Sequence, residues 1–367
     1  MQLEIVAMGM SSCLGPLLTA CAAFRAGISR VRTSREFRYF PEEDNAPLPL
    51  RTCSIPVRTF GFSAAGRLVA ILGGTLEDLQ SRLELGNLRT DTALYLVLPD
   101  PLEREFPMRA GLMEDPSGRV EALGQFVLNQ TFENLGMTWR GLKGQFFMGG
   151  QVTFARALQA AQVALESRSV GACLVMAVDS LLSPPTLSRL VRERRVKTDD
   201  LPVGFIPGEV GVAILLRPAP GSLKEGSASP VSIRQVHVSD PPASRQTDDR
   251  VLAFCVERVL QPHGGPAPEE PLLVSDHNGE QRRASEWGNL QIHLHAAHPD
   301  WMLENACFPA IGFGETGAAS GAVGVCVAAR SLERGYARSR SALVLSTSED
   351  GARAAILLNK LQPGVRS

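Results

Sequence analysis

The chain has 367 residues, of which 44% are apolar and 20% charged, and its 37 basic and 38 acidic side chains give a formal net charge of −1. The apolar share excludes disorder along the whole chain, and the length allows one large core or two medium ones. The balanced charge gives no electrostatic reason to bind nucleic acid or an acidic membrane surface, and apolar runs of about 18 residues, which a bilayer-spanning helix needs, are missing.

The first ten residues have no basic segment and carry Glu4 within their apolar run, so a secretory signal is not expected. The seven cysteines are odd in number and include no C-x-x-C pair. We interpret them as small buried apolar residues in a reducing compartment. The sequence therefore predicts a cytoplasmic protein without a disulfide framework, and it predicts neither a metal ion nor a cofactor.

Strands and helices alternate along the first part of the chain. Short apolar runs predict buried strands at residues 3–10, 92–98, 172–178 and 208–216. Small-residue stretches predict helices at residues 16–25 and 153–165. The second of these helices is rich in alanine, free of glycine and proline, and apolar nearly all round, so it should be buried. Residues 33–60, rich in arginine, proline and acids, are predicted to be irregular.

Residues 219–228 have the composition of a connecting loop and divide the chain into predicted halves 1–218 and 229–367. The same alternation then recurs. Predicted strands and helices are at residues 231–238 (strand), 249–260 (helix), 271–275 (strand), 318–332 (helix), 341–345 (strand) and 354–358 (strand). Alternating strands and helices indicate an α/β protein with mostly parallel sheets, and the two halves have the pattern of a divergent duplication.

Four motifs resemble those of the β-ketoacyl synthase branch of the thiolase superfamily. They are GMSSCLG at 9–15, VDSLLSP at 178–184, GFIPGEVG at 204–211 and GFGETGAASG at 312–321. They occur in the family's order and extend across nearly the whole chain. The resemblance implies a thiolase-like five-layer α/β/α/β/α fold, with two pseudo-symmetric halves and mixed, mainly parallel sheets.

Condensing enzymes of that family use a cysteine nucleophile at a helix amino terminus, two histidines and a lysine. The resemblance puts Gln151 at the cysteine position, and no cysteine lies between Leu142 and Cys173. It matches His277 to the first histidine. The resemblance thus implies that the nucleophile is missing.

The remaining functional positions of the family are altered as well. Glu315 stands at the second histidine, and the lysine position falls near Ala310, which cannot replace it. The carboxy-terminal turn, whose phenylalanine gates the acyl pocket in the family, matches residues 348–351. Its gate would be Glu349, a charged side chain where an apolar acyl chain should enter.

The resemblance therefore implies a catalytically degenerate protein and not a condensing enzyme. Stand-alone proteins of this kind occur beside bacterial type VI secretion genes, which implies a protein-binding adaptor that loads a toxic effector onto the delivery spike. One alternative is a chain-length-factor-like partner subunit of a fatty acid or polyketide synthase. Another is a malonyl decarboxylase that has Gln151 in place of the cysteine.

These hypotheses imply protein partners. The partner would be a secretion effector or spike protein, or else a ketosynthase or carrier protein. Family members dimerise through an edge strand before the nucleophile helix, and the apolar residues 146–148 suit such an interface. A dimer is therefore expected, with no nucleic acid and no membrane partner.

Several charged side chains have less specific interpretations. We expect His277 and Glu315 to form a buried hydrogen bond, with an acid/base dyad as the alternative. His293 and His295 would share one face of a strand, where they could bind a metal or simply face solvent. The basic run at 192–197 is interpreted as a solvated loop, and the acids flanking His277 as turn residues.

Overall fold

The computed structural model describes residues 1–41, 46–83, 91–107, 110–137, 139, 142–220, 230–240, 250–261 and 269–361. Most of the predicted connecting loop and the predicted helix start at residue 249 lie outside these ranges. Among the helices of the described ranges, none has the length and apolar content that crossing a membrane requires.

The first half of the chain begins with a long buried strand and ends with another. Its strands are β1 (Leu3–Ser12), β2 (Gly15–Pro16), β3 (Arg32–Tyr39), β4 (Leu48–Thr52), β5 (Thr92–Leu98), β6 (Lys143–Met148), β7 (Ala172–Ser180) and β8 (Glu209–Pro218). Its helices are α1 (Leu17–Arg25), α2 (Pro56–Thr59), α3 (Ala64–Gln80), α4 (Pro116–Asn134), α5 (Thr153–Glu166) and α6 (Pro184–Arg192).

The second half repeats this alternation with shorter elements. Its strands are β9 (Val231–Ser239), β10 (Leu272–Ser275), β11 (Ala306–Cys307), β12 (Ser341–Thr347) and β13 (Arg353–Lys360). Its helices are α7 (Val251–Leu260), α8 (Gln281–Ala297), α9 (Ala310–Phe313) and α10 (Ser320–Glu333).

One mixed sheet has the strand order β11-β10-β12-β13-β9-β1-β8-β7-β5-β6. In the first half, β6, β5 and β7 pair in parallel, and β8 runs antiparallel between β7 and β1. In the second half, β11, β10 and β12 likewise pair in parallel, and β13 runs antiparallel between β12 and β9. The halves are thus related by a pseudo-twofold repeat of strand order and direction, and they join where β1 pairs with β9 at Leu3 and Glu4.

Helices lie on both faces of each half and also between the halves. A large core packs α5 and α10 between the inner faces of the two strand sets, with Phe154 and Leu158 of α5 fully buried. Helices α3 and α4 cover the outer face of the first half, and α7 and α8 cover that of the second. The predicted five-layer α/β/α/β/α fold is therefore confirmed.

A glycine in β1 permits the close packing of α3 on the sheet. A Cβ atom on Gly9 would lie 2.6 Å from the carbonyl oxygen of Thr75 in α3. Because that oxygen belongs to the backbone, it could move away only with its helix. The first glycine of the predicted family motif thus has a packing role.

The prediction that residues 33–60 are irregular is wrong. Strands β3 and β4 form an antiparallel hairpin, and α2 follows it. Tyr39 and Leu50 of the hairpin pack with Leu187 and Leu190 of α6 in a separate small core. Only one face of the hairpin is covered by the rest of the protein, so its apolar residues are separated by arginines and other polar residues. Their spacing therefore does not show a recognisable strand pattern.

Candidate functional site

The loops that follow β6, β10 and β12 meet at one end of the sheet. This end carries the positions that the sequence singled out, because parallel strands bring the loops at their carboxyl ends together. Gln151 follows β6, His277 follows β10, and Glu349 follows β12. Glu315 joins them from the segment between α9 and α10. We call this group of loops the relic cleft.

Gln151 is buried just before the amino terminus of α5. Its side-chain Nε2 donates to Oε1 of Glu315 over 3.2 Å. The next backbone amide, of Val152, donates to Oγ of Ser348 over 2.9 Å. The helix amino terminus that would activate a thiolate thus carries a neutral amide side chain, which is held by a hydrogen bond and is no nucleophile.

Glu315 joins the loops of the relic cleft. Its Oε1 accepts from Gln151, from the backbone amide of Gly317 (2.9 Å) and from Oγ of Ser320 (3.2 Å). Its Oε2 accepts from Nδ2 of Asn278 over 2.6 Å. Both carboxylate oxygens are therefore engaged with protein groups, and the side chain is 3% exposed. This arrangement suits a structural carboxylate better than an acid or base that exchanges protons with a substrate.

The expected hydrogen bond between His277 and Glu315 is not formed. The imidazole of His277 packs edge-on against Phe308, with 5.4 Å between the ring centroids, and its buried Nδ1 has no hydrogen-bond partner among the described residues. Burial, and then the positive charge of Arg283, lower the pKa of His277. The next residue, Asn278, occupies the position beside Glu315 instead, so the predicted acid/base dyad does not exist.

Glu349, the predicted gate, lies among three arginines. Its Oε1 is 2.8 Å from Nη2 of Arg195 and 3.3 Å from Nη2 of Arg283, and its Oε2 is 2.7 Å from Nη2 of Arg282. Arg195 also bonds Glu280 through two nitrogens, at 2.8 and 3.2 Å. These ion pairs connect the loops after β12 and β10 with the segment after α6.

Two of the predicted solvated or turn residues therefore have other roles. Arg195 belongs to the basic run interpreted as a solvated loop, but its ion pairs hold its side chain at 24% exposure. Although burial alone would raise the pKa of Glu280, hydrogen bonds from Arg195 and Asn278 and nearby positive charges bring it below its usual value. The interpretations of Arg195 as a solvated residue and of Glu280 as a turn residue are therefore wrong. They fail because these two side chains pair with each other although they are distant in sequence.

Asp276 is likewise a buried ion-pair partner and not an ordinary turn residue. Its Oδ2 lies 2.9 Å from Nη1 of Arg283 and accepts from the backbone amide of Thr347 over 2.6 Å. Burial raises the pKa of Asp276 to about 6, against the lowering effects of Arg283 and Thr347. The side chain of Arg283 is 1% exposed, so a fully desolvated guanidinium underlies the cleft.

Two further buried ion pairs lie in the first half, and one of them holds the backbone that follows Glu315. Asp179 accepts from Nη2 and Nε of Arg104, at 2.7 and 3.0 Å, and from the backbone amide of Ala318. The close approach of that backbone needs Gly317, which has a φ of +53° and whose added Cβ would lie 2.1 Å from the Asp179 carboxylate. The second pair joins Arg67 to Glu209.

The prediction that His293 and His295 share one face of a strand is wrong. Both residues lie in α8, where residues two apart point about 200° apart around the axis, so they share no face. His298 lies just beyond the helix and stacks on Trp301, with 4.0 Å between centroids. In the described ranges, no three His, Cys, Asp or Glu side chains are grouped as a metal site needs.

Sequence reasoning missed the residues that fill the cleft. Asn278, Ser320 and Ser348 bond the predicted positions, and Arg283 anchors the ion pairs. One feature of the sequence could have indicated the ion pairs of this site. Asp276 and Glu280 are acids within seven residues of two arginines, which indicates local ion pairing, but the opposing side chains at 195 and 347–349 cannot be found by spacing.

A scan against models of known protein families finds no match for this chain, and a comparison with curated proteins finds none either. Solved structures do match. The ishigamide ketosynthase/chain length factor is 17% identical, with a TM-score of 0.69 over 99% of this chain and 100% of that one. A ketosynthase from module 1 of the bacillaene synthase of Bacillus amyloliquefaciens FZB42 is 14% identical, with a TM-score of 0.70 over 99% and 76%.

A third similar structure contains a carrier protein. It is AntDE:AntF, a type II polyketide synthase acyl-carrier protein in complex with its ketosynthase bound to the hexaketide. Its matching chain is 11% identical to this one, with a TM-score of 0.71 over 98% of this chain and 99% of that one. At such identities the similarity shows the fold.

Proposed function

We propose that this chain, which has the thiolase-like fold of ketosynthases, is a non-condensing protein that acts by binding another protein, as an adaptor for a secretion effector. The observation that carries this proposal is the state of the relic cleft. Gln151, at the position matched to the nucleophile, donates to Glu315, and the loops above are joined by ion pairs of Glu349. Acyl transfer through cysteine needs a thiolate and polarising groups that these side chains do not supply.

The ion pairs also argue for an adaptor over an acyl-binding subunit. An acyl chain entering at residue 349 would have to separate Glu349 from three guanidinium groups and bury them against methylene groups. The side chains of Glu349 and Arg282 are each 44% exposed, so the ion pairs themselves are worth at most about 1 kcal/mol each. The larger cost lies in burying these charged groups without partners. A scaffold that binds its partner on an outer surface avoids that cost.

Affinity purification of the tagged full-length chain from its own host, followed by mass spectrometry, tests the proposal. We expect a secretion effector or a spike protein to be recovered. Gln151→Ala and His277→Phe should recover the same partner in the same amount, because neither side chain is needed by an adaptor. Recovery of an active ketosynthase or an acylated carrier protein, or loss of the effector in Gln151→Ala, would overturn the proposal.

The second candidate is a chain-length-factor-like partner of a synthase. One similar structure is a ketosynthase/chain length factor, matched over its whole chain, and the family resemblance puts glutamine at the nucleophile position of such partners. This candidate predicts a stable heterodimer with an active ketosynthase. Size-exclusion chromatography of the mixed proteins would then give one peak that contains both chains in equal amounts, whereas the adaptor proposal predicts that the two proteins elute in separate peaks.

A malonyl decarboxylase is the least supported candidate. Decarboxylation develops negative charge on an enolate oxygen, and a carboxylate at Glu315, beside Gln151, opposes that charge. Release of carbon dioxide from a malonyl thioester by the purified chain, reduced in Gln151→Ala, would favour this enzyme over the adaptor.

A further inference from the structure

A groove at the opposite end of β10 from the relic cleft lies between α1 and the carboxy-terminal end of α10. It has a volume of about 430 Å³, within the roughly 300–1,000 Å³ of small-molecule sites. The first residue of β10, Leu272, lines it, whereas the relic cleft begins after the last residue of that strand. The groove and the relic cleft are therefore separate features.

The floor of the groove is apolar. Leu272 and Val327 are buried core residues that contribute to its wall, and Leu18 and Ala22 of α1 form its opposite side. The lining also includes two thiols, of Cys21 and Cys307. Burial raises the pKa of both thiols to about 12, so they are neutral at pH 7 and count as apolar lining.

The mouth of the groove is positively charged. Arg25, Arg330 and Arg334 line it, and Arg25 stacks on the ring of Tyr336, with Cζ 3.3 Å from the ring centroid. Arg330 pairs with Glu333. The carboxyl-terminal ends of α1 and α10 each add about half a negative charge, because the helix dipole is negative at that end. Three guanidinium groups against one carboxylate and two helix ends leave net positive charge at the mouth.

We propose that this groove binds a single aliphatic chain with an anionic head group, of which a fatty acid is the simplest form. The chain would lie along Val327 and Leu272, and the head group would pair with Arg334. In the described part of the chain, the Arg334 side chain has no hydrogen bond or ion pair. This binding activity goes beyond the proposed adaptor function and does not depend on it.

Titration calorimetry of the full-length protein with octanoate, decanoate and dodecanoate tests the proposal. Burial of each added methylene should strengthen binding by up to about fourfold. Dodecyltrimethylammonium, with the same chain and a positive head, should bind at least tenfold more weakly than dodecanoate. Equal binding of the cationic and anionic chains, or no binding of dodecanoate, would overturn the proposal.

Two variants with matched controls test the location. Arg334→Gln should weaken dodecanoate binding about tenfold, whereas Arg338→Gln, on the same exposed segment, should not. Ala22→Trp should fill the groove and abolish binding, whereas Ala296→Trp, at an exposed site on α8, should leave it intact. Circular dichroism checks that each variant is folded. Unchanged binding in folded Ala22→Trp would also overturn the proposal.

The source of the ligand is tested with vesicles of phosphatidylglycerol. Sedimentation of the protein with these vesicles, reversed by free dodecanoate and absent in Ala22→Trp, would identify a membrane lipid as the source of the chain. Binding of dodecanoate without sedimentation would identify a free fatty acid.

Discussion

Glu209 is a fully buried carboxylate with a complete set of partners. It accepts from Nε of Arg67 (2.6 Å), from the backbone amide of Ile55 (2.7 Å), and from the hydroxyls of Thr59 and Ser180 (2.9 Å each). These donors come from α3, α2, β7 and the segment before α2. These hydrogen bonds compensate the free-energy cost of removing the carboxylate from water. Removing one partner therefore leaves the buried groups that remain without full compensation.

Glu209→Ala should therefore lower the free energy of unfolding by about 3 kcal/mol, because it leaves the buried Arg67 guanidinium with only the half-exposed Glu36, 3.7 Å away, as an ion-pair partner. Urea denaturation followed by circular dichroism measures the loss. The control is Arg51→Ala, which removes an ion pair to Asp199 whose side chains are both more than half exposed. That change should cost no more than about 0.5 kcal/mol. A loss below about 1 kcal/mol in Glu209→Ala would contradict the argument.

His277 makes the stability of the folded protein depend on pH, and the direction of its pKa shift gives the sign of that dependence. Its pKa is below the ordinary value of 6.5, because burial and Arg283 disfavour the charged ring. Between the folded pKa and 6.5, the unfolded state therefore binds more protons than the folded state. Stability contributed by the neutral ring is fully present above pH 6.5 and is lost as the pH falls through the folded pKa.

His277→Phe should remove this loss, since phenylalanine keeps a ring against Phe308 and cannot be protonated. The expected result is a smaller decrease in unfolding free energy below pH 6.5 than in the wild type, measured by urea denaturation across pH 4–8. His295→Phe, at an exposed position on α8, should keep the wild-type slope. Identical slopes for the wild type and His277→Phe would show that the pKa of His277 is not lowered.

Strand β6 lies at one edge of the large sheet. It pairs with β5 on one side only within the described residues, and Lys143, Gly144 and Gln145 are exposed. Phe146 packs closely on Gly124 of α4, so the strand is held against its own half at this residue while its edge stays open. Open edges of this kind favour pairing with another strand. We therefore expect a second copy, or a related subunit, to pair along β6.

The double variant Lys143→Glu, Gln145→Glu should dissociate a homodimer formed this way. Two copies paired across a twofold axis would bring these acids together, and like charges on adjacent strands are destabilising. Analytical ultracentrifugation should show a shift towards monomer. The variant Arg192→Gln, Lys197→Glu has the same charge change at exposed sites on another surface and should leave the dimer intact. An unaffected dimer in the first variant would place the interface elsewhere.

At the scale of the whole molecule, the two halves share one core. Helix α5 contacts β9 and β13 of the second half as well as the strands of its own half, and it buries Phe154 and Leu158 between them. Without residues 229–367, one face of this helix would be exposed to water. The predicted halves are therefore repeats of topology that we expect to fold only together.

Expression of residues 1–218 alone tests this expectation. We expect a fragment without a cooperative urea transition, because burial of α5 and of the inner sheet face needs the second half. The full-length chain, measured under the same conditions, should unfold in a cooperative transition. A cooperative transition in the fragment would instead show that residues 1–218 are an independent domain.

Local patterns in the sequence were sufficient for the central elements of the fold. The strands predicted at 3–10, 92–98 and 172–178 and the helix at 153–165 lie within β1, β5, β7 and α5, because buried elements carry continuous apolar runs. Helix α8 was missed, since Ile292 and Leu294 alternate with two histidines as in a strand. In the structure Leu290 and Leu294, four residues apart, face the core instead.

By itself, the sequence determined that this chain has α/β alternation, family-like glycine motifs and no cysteine near the start of α5, since these are properties of local composition. Only the tertiary structure decided the partners of the charged residues. Glu315 bonds Gln151 and Asn278, and Glu349 bonds Arg195, across 37 to 164 residues. The stability of a buried charge depends on the groups that surround it in space, and the loops at the ends of distant strands supply those groups here.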